Sequence, residues 1–124
     1  MKILIVDDSR FLQNFLIKLL NLYLPEAELT TANNGLEAFA LYKKEKPAFV
    51  LTDLLMPELN GQELLRLIMA EDEPARVIVI SADVQKSTRE EAFQLGALAF
   101  FNKPLTKETS AELINLIKET SHAD

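Results

Sequence analysis

The chain has 124 residues, 48% hydrophobic and 26% charged, with a net charge of −6. That length and balance suit one globular domain spanning 1–124, able to bury roughly two-thirds of its unfolded surface without a disulfide or a metal staple. The absence of cysteine and a lone His122 argue against disulfides, thiolate chemistry, Cys- or His-ligated zinc and a Ser-His-Asp triad, and the acidic balance argues against nucleic-acid binding.

Met1-Lys2 leads straight into strand-like sequence, with no signal-peptide pattern, and no apolar run approaches the ~20 residues that span a bilayer. The expectation is a soluble, cytoplasmic protein with no membrane partner. Ile3-Leu4-Ile5-Val6 reads as a buried strand. After Asp8, the residues Phe11, Leu12, Phe15, Leu16, Leu19, Leu20 and Tyr23 recur with a helical period and predict one inward stripe, which Pro25 ends. Glu28 to Ala32 is short and Thr-rich, an edge strand. Asn34-Gly-Leu-Glu37 then carries an Asn cap with Glu at the third helical position, predicting a helix to about Lys44.

Ala48 to Thr52 is apolar at nearly every position, as a central strand covered on both faces would be. Asn60-Gly-Gln-Glu63 opens a helix with Leu64, Leu65, Leu67 and Ile68 on its apolar side. Val77 to Ile80 is a further strand. Ser87-Thr88 with Glu90-Glu91 offers overlapping capping boxes for a helix ending at Gly96. Ala97 to Asn102 is the last strand, and Leu113, Ile114, Leu116 and Ile117 give the last helix, about Lys107 to Thr120, an inward face. Five alternating strand–helix units predict a doubly wound α/β fold with a parallel sheet between two helical layers. Ligands of such sheets sit beyond the carboxyl ends of the strands.

Those ends carry Asp7-Asp8, Asp53, Ser81 and Lys103-Pro104. Each has an ordinary explanation. Asp7-Asp8-Ser9 could cap the first helix, Asp53 and Ser81 could be turn residues, Lys103 could be a solvated lysine and Pro104 a strand terminator. Convergence weakens these explanations together. Unit charges ~4 Å apart repel by about 4 kcal/mol at an effective dielectric of 20, so clustered carboxylates call for a cation. A hard divalent ion such as Mg²⁺ accepts oxygen ligands and leaves room for a phosphoryl oxygen. An aspartate can attack phosphorus to form an acyl phosphate, whose added charge an ammonium and a hydroxyl would help to neutralise.

Ile-Val-Asp-Asp at 5–8, Leu-Thr-Asp-Leu-Leu-Met-Pro-Glu-Leu-Asn-Gly at 51–61, Val-Ile-Val-Ile-Ser-Ala at 77–82 and Phe-Phe-Asn-Lys-Pro at 100–104 resemble the receiver domain of bacterial response regulators. The resemblance runs along the whole chain and is closest in kind to stand-alone chemotaxis-type receivers. It implies a flavodoxin-like fold with strand order 2-1-3-4-5. It also implies that Asp53 is the phosphoacceptor and that Asp7 and Asp8 are the metal-binding pair, with Asp8 the more direct ligand. The backbone carbonyl of Leu55 would be the third protein ligand to Mg²⁺, alongside Asp53. Ser81 would bond the phosphoryl group and Lys103 would pair with it. The Lys103-Pro104 bond would be cis.

Phe100 stands where the family has its switch aromatic, often Tyr, and the strand pattern alone makes it core. Leu55 and Asp83 lie near where an attacking water would approach, and an apolar Leu55 cannot orient that water. The function implied is a Mg²⁺-dependent acceptor of phosphoryl groups, not an enzyme. Its donor would be a sensor histidine kinase or histidine phosphotransfer protein. Phosphorylation would switch the face of the fourth helix, fifth strand and fifth helix for a downstream output protein. Two rivals stand beside it: a degenerate receiver acting only as a binding adaptor, and an aspartyl-nucleophile phosphatase. The phosphatase usually places its carboxylates as Asp-x-Asp, whereas these are adjacent. A flavin-binding protein would need a phosphate loop where Asp7-Asp8 would repel it.

Overall fold

The computed structural model describes residues 1–56 and 58–122, without the side chain of His122. Pro57 of the Met-Pro motif therefore lies outside the described residues. The elements in chain order are β1 (Lys2–Val6), α1 (Arg10–Tyr23), β2 (Glu28–Ala32), α2 (Gly35–Glu45), β3 (Phe49–Thr52), α3 (Gly61–Met69), β4 (Arg76–Ser81), α4 (Lys86–Gln94), β5 (Ala99–Asn102) and α5 (Lys107–His122). All four strand pairings are parallel, in the order β2-β1-β3-β4-β5. This is the doubly wound, flavodoxin-like sheet expected from the alternation of apolar runs and helical periods.

Successive residues of a strand point to opposite faces, and the two cores follow that rule. Leu4, Val6, Val50, Val77 and Val79 pack with Ala38, Tyr42, Leu64, Leu65, Ile68 and Ala92 of α2, α3 and α4. Ile3, Ile5, Phe49, Leu51, Ile78 and Ile80 pack with Leu16 and Leu20 of α1 and with Leu113, Ile114 and Ile117 of α5. Burying each of the Val, Leu, Ile and Phe side chains among these contributes about 1.5–3 kcal/mol relative to leaving it in water.

The Asn caps are as expected. Asn34 Oδ1 accepts from the Glu37 N–H at 2.8 Å and Asn60 Oδ1 from the Glu63 N–H at 2.9 Å. Three expectations need correction. Phe11 is 83% exposed and Phe15 and Tyr23 also face solvent, while Gln13 is buried with Leu16 and Leu20. The stripe of α1 that meets the sheet is thus rotated from the one the aromatics suggest. Leu67 of α3 faces outward. The capping boxes at Ser87 and Thr88 are not used, because α4 starts earlier, after Gln85. No side chain caps the first turn of α4; the Asp83 carboxylate instead holds the approach to it, accepting from the Gln85 N–H at 2.9 Å and the Thr88 hydroxyl at 2.8 Å.

Gly61 fixes how α3 joins the sheet. A Cβ there would overlap the carbonyl oxygen of Asp53 and come within 2.6 Å of Leu54 Cα. Only hydrogen on this Cα lets the helix start lie against the backbone that carries Asp53.

Candidate functional site

The order β2-β1-β3 makes β1 the point where chain direction across the sheet reverses, and the loops after β1 and β3 flank the crevice there. Asp7 extends β1, with its N–H bonded to the Ala32 carbonyl at 3.1 Å. Asp53 extends β3, with its N–H on the Val6 carbonyl at 3.1 Å. Both strands pair through Val6 and Thr52, so the two carboxylates are neighbours by register. Asp8 follows on the exposed side of the same loop. One carboxylate oxygen from each of Asp7, Asp8 and Asp53 lies within 4.8 Å of the other two, close enough for the three to share a metal ion.

Lys103 comes from the loop after β5. Its Nζ donates to Asp7 Oδ2 at 2.9 Å and to Asp53 Oδ2 at 3.0 Å. It is a bridging counter-ion rather than a solvated lysine. The Lys103-Pro104 peptide is cis, as the resemblance implied. Ser81 ends β4 fully buried, and its Oγ accepts from the Asp83 N–H at 3.1 Å. A hydroxyl that accepts one bond keeps its own proton for another partner.

The electrostatics divide unequally. Burial pushes the Asp7 carboxyl above its ordinary value, against the pull of the Lys103 ammonium and the Ser9 N–H. Burial alone would lower the Lys103 ammonium, but its bonds to Asp7 and Asp53 outweigh this and hold it above its ordinary value. The lysine is therefore firmly charged, and Asp7 bears the cost of the crowding.

Asp53 is 7% exposed, and its Oδ1 accepts from the N–H of Leu54 at 2.7 Å and of Leu55 at 3.4 Å. The Thr52 hydroxyl donates to the Asp53 carbonyl at 2.8 Å. An octahedral Mg²⁺ with bonds of ~2.1 Å spaces its ligand oxygens by about 3–4 Å. The three carboxylates are all hard oxygen donors and need only small movements to reach that spacing. For Leu55, the hydrogen bond that ties it to the site is made by its N–H, and its side chain is 68% exposed.

The ordinary readings also hold in part. Ser9 caps α1, its Oγ accepting from the Leu12 N–H at 3.3 Å, and Ser81 is a turn hydroxyl whose backbone carbonyl accepts from the Lys103 N–H at 2.8 Å. Phe100 is 6% exposed and packs in the core under α4. The guanidinium of Arg89 lies 5.7 Å from the Phe100 ring and 5.3 Å from the Phe93 ring, and it donates to the Phe100 carbonyl at 3.3 Å. Beside Lys103 an apolar groove of about 570 Å³ runs along α1, lined by Phe11, Leu12, Phe15, Pro104 and Leu105 with Ser9 at its rim.

Sequence reasoning missed Gln13 and Arg89. Gln13 left one usable signal: it stands three and seven residues before Leu16 and Leu20, a polar residue in phase with a buried stripe. Arg89 left none, since its partner Phe100 is remote in sequence.

The fold and the acid cluster define a receiver-type module, and comparison with known proteins agrees. Residues 3–117 match the model of the response regulator receiver domain family. The chain belongs to that family. It is 37% identical over 114 residues to the chemotaxis protein CheY of Listeria monocytogenes, covering 92% of this chain and 95% of that one. It is 38% identical over 105 residues to a protein-glutamate methylesterase/protein-glutamine glutaminase of Bacillus licheniformis, covering 83% of this chain but only 29% of that protein. Among solved structures, the response regulator domain of Thermotoga maritima CheB superposes with a TM-score of 0.87 at 32% identity, covering 100% of this chain and 98% of that one. Among the described residues, no helix is long and apolar enough to cross a membrane.

Proposed function

We propose that this chain, as a receiver module over 1–124, accepts a phosphoryl group on Asp53 from the phosphohistidine of a sensor kinase or phosphotransfer protein. The observation that carries this reading is the bridging of Asp7 and Asp53 by Lys103 beside a third carboxylate, Asp8. The transfer breaks a P–N bond and forms a P–O bond to a carboxylate oxygen of Asp53, and the donor imidazole leaves with the electron pair. Asp7, Asp8 and Asp53, with the backbone carbonyl of Leu55, would hold Mg²⁺. The ion would offset the negative charge on the phosphoryl oxygens.

The chain's own groups do the rest. The N–H groups of Leu54 and Leu55 orient the Asp53 carboxylate by bonding Oδ1. Lys103 follows the added charge as a mobile cation on a flexible stem. Ser81 donates its hydroxyl proton to the phosphoryl group. The Ser81 oxygen also holds the Asp83 N–H, and the Asp83 carboxylate holds Gln85 and Thr88 at the start of α4. A shift of the hydroxyl therefore pulls on the face formed by α4, β5 and α5, where Phe93 and Leu98 are exposed. That face would bind the output partner. The groove along Phe11 and Phe15 would seat the donor beside Lys103. In this role the chain is a cytoplasmic signalling module, acting only on its own phosphorylation.

Incubation with Mg²⁺ and acetyl phosphate, followed by intact mass measurement, tests the proposal. The wild type should gain a single phosphate and Asp53→Asn should gain none. No mass change in the wild type would favour a receiver that only binds partners.

A further inference from the structure

Among the described residues, six polar or charged ones are buried: Asp7, Gln13, Thr52, Asp53, Ser81 and Ser110. Asp7, Asp53 and Ser81 belong to the site, and Thr52 bonds the Asp53 carbonyl. Gln13 is the one buried polar side chain on α1, and its amide reaches across two loops. Nε2 donates to the Asp7 carbonyl, to Asn33 Oδ1 at 2.9 Å and, at a longer 3.3 Å, to the Ala32 carbonyl. Carbonyl oxygens only accept, so the nitrogen of the amide must face this way. Burying an amide without partners costs about 1–3 kcal/mol, and here the shortest of its bonds goes to a single peptide unit of the acidic loop, while the others tie it to the end of β2.

That unit is the Asp7–Asp8 peptide. Asp7 is held at its N–H by Ala32, at Oδ1 by the Ser9 N–H at 2.7 Å and at Oδ2 by Lys103. Gln13 holds the remaining group, the carbonyl, and with it the peptide plane from which Asp8 projects. Asp8 itself is exposed, so the direction of its carboxylate depends on that plane. The side chain of Asn33 extends the link to the loop after β2.

We infer that Gln13 is a positioning residue for the metal-binding pair: by fixing the Asp7–Asp8 peptide to the end of β2 it aims Asp8 at the cation, without touching the cation. The inference rests on the proposed Mg²⁺ site. Groups that orient metal ligands typically change affinity by 10–100-fold when removed. Gln13→Met keeps length and bulk but has no N–H donor, so its Mg²⁺ dissociation constant should rise about tenfold.

The test is calorimetric titration of the full chain with MgCl₂, alongside thermal melts without metal. Leu16→Ala serves as a control, since it loosens the same helix without touching the loop. Weakened Mg²⁺ binding in Gln13→Met, with near wild-type affinity in Leu16→Ala, supports the inference. Unchanged affinity in Gln13→Met, or an equal loss in Leu16→Ala, overturns it and leaves Gln13 a structural amide. No Mg²⁺ binding by the wild type would overturn the underlying metal reading as well. Should Gln13→Met not fold, Asn33→Ala at an exposed position loosens the same amide, and unchanged affinity there would equally overturn the inference.

Discussion

Asp7 pays for its place in the site. Its carboxyl is raised by burial even with Lys103 beside it, so the charged form is less favourable in the folded chain than in the unfolded one. For a carboxyl shifted upward, the folded state binds the proton more tightly, and stability falls as pH rises through the window from the ordinary value to the raised one. Near neutral pH and without divalent metal, Asp7→Asn should therefore melt at a higher temperature than the wild type. As pH falls through the raised value and the wild-type carboxyl takes up its proton, the advantage should shrink, and melts over a descending pH series in EDTA check this. Lys103 is shifted the other way in effect. Its raised value means that its contribution is intact below the ordinary lysine range and is lost only in strong alkali. A second residue-scale prediction concerns Leu55, whose side chain points to solvent, while the Asp83 carboxylate is occupied by Gln85 and Thr88. Placed so, neither would direct a water at the proposed acyl phosphate on Asp53. Leu55→Asn should shorten the phosphorylated lifetime several-fold, and equal half-lives with Mg²⁺ present would refute the idea.

The elements differ in how clearly their roles could be read from sequence. Glu28–Ala32 emerges with the bounds its composition suggested, because a short Thr-rich run between two punctuated helices has one sensible conformation. The site residues were legible for the same reason: a parallel sheet sends every strand's last residue to one edge, whatever the helices do. The phase of α1 was not legible. Phe11, Phe15, Leu16 and Leu20 give the helix two apolar sides, and only docking on β1 and β3 decides which side is buried. The start of α4 follows the turn at Asp83, whose N–H is tied to Ser81 and whose carboxylate holds Gln85 and Thr88, so one local hydrogen-bonding pattern displaced another that the sequence offered two residues later. Phe100 shows the limit most clearly. Its strand pattern says core, and it is core, but Arg89 seals it from outside with a cation–π contact and a bond to its carbonyl. Such contacts contribute about 0.5–1 kcal/mol at exposed sites, enough to bias a rotamer without locking it. Arg89→Ala should give Phe100 a second, outward rotamer detectable by ring NMR. A single unchanged conformation would show that packing alone holds it.

For the whole molecule, two sheet faces buried against α2–α4 and against α1 with α5 supply the stability that lets one edge remain electrostatically unfavourable. Three carboxylates face one ammonium there, a deficit that a divalent cation would close. Because the cation would bind only the folded chain, Mg²⁺ at about 100 times its dissociation constant should stabilise the fold by about 2.7 kcal/mol. Melting curves with and without millimolar Mg²⁺ measure this, and an unchanged midpoint would count against a carboxylate metal site.

The bridge made by Lys103 has a consequence for when the site comes into being. Asp7 and Lys103 are 96 residues apart in the chain, and Asp53 and Lys103 are 50 apart. During synthesis the acidic loops emerge early and the lysine late. Until β5 has joined the sheet, the acids have no internal cation and the crevice has no far wall. If the crevice accepts a phosphoryl group as proposed, that competence would be withheld from the nascent and the partly folded chain, and its appearance would certify that the last strand is in place.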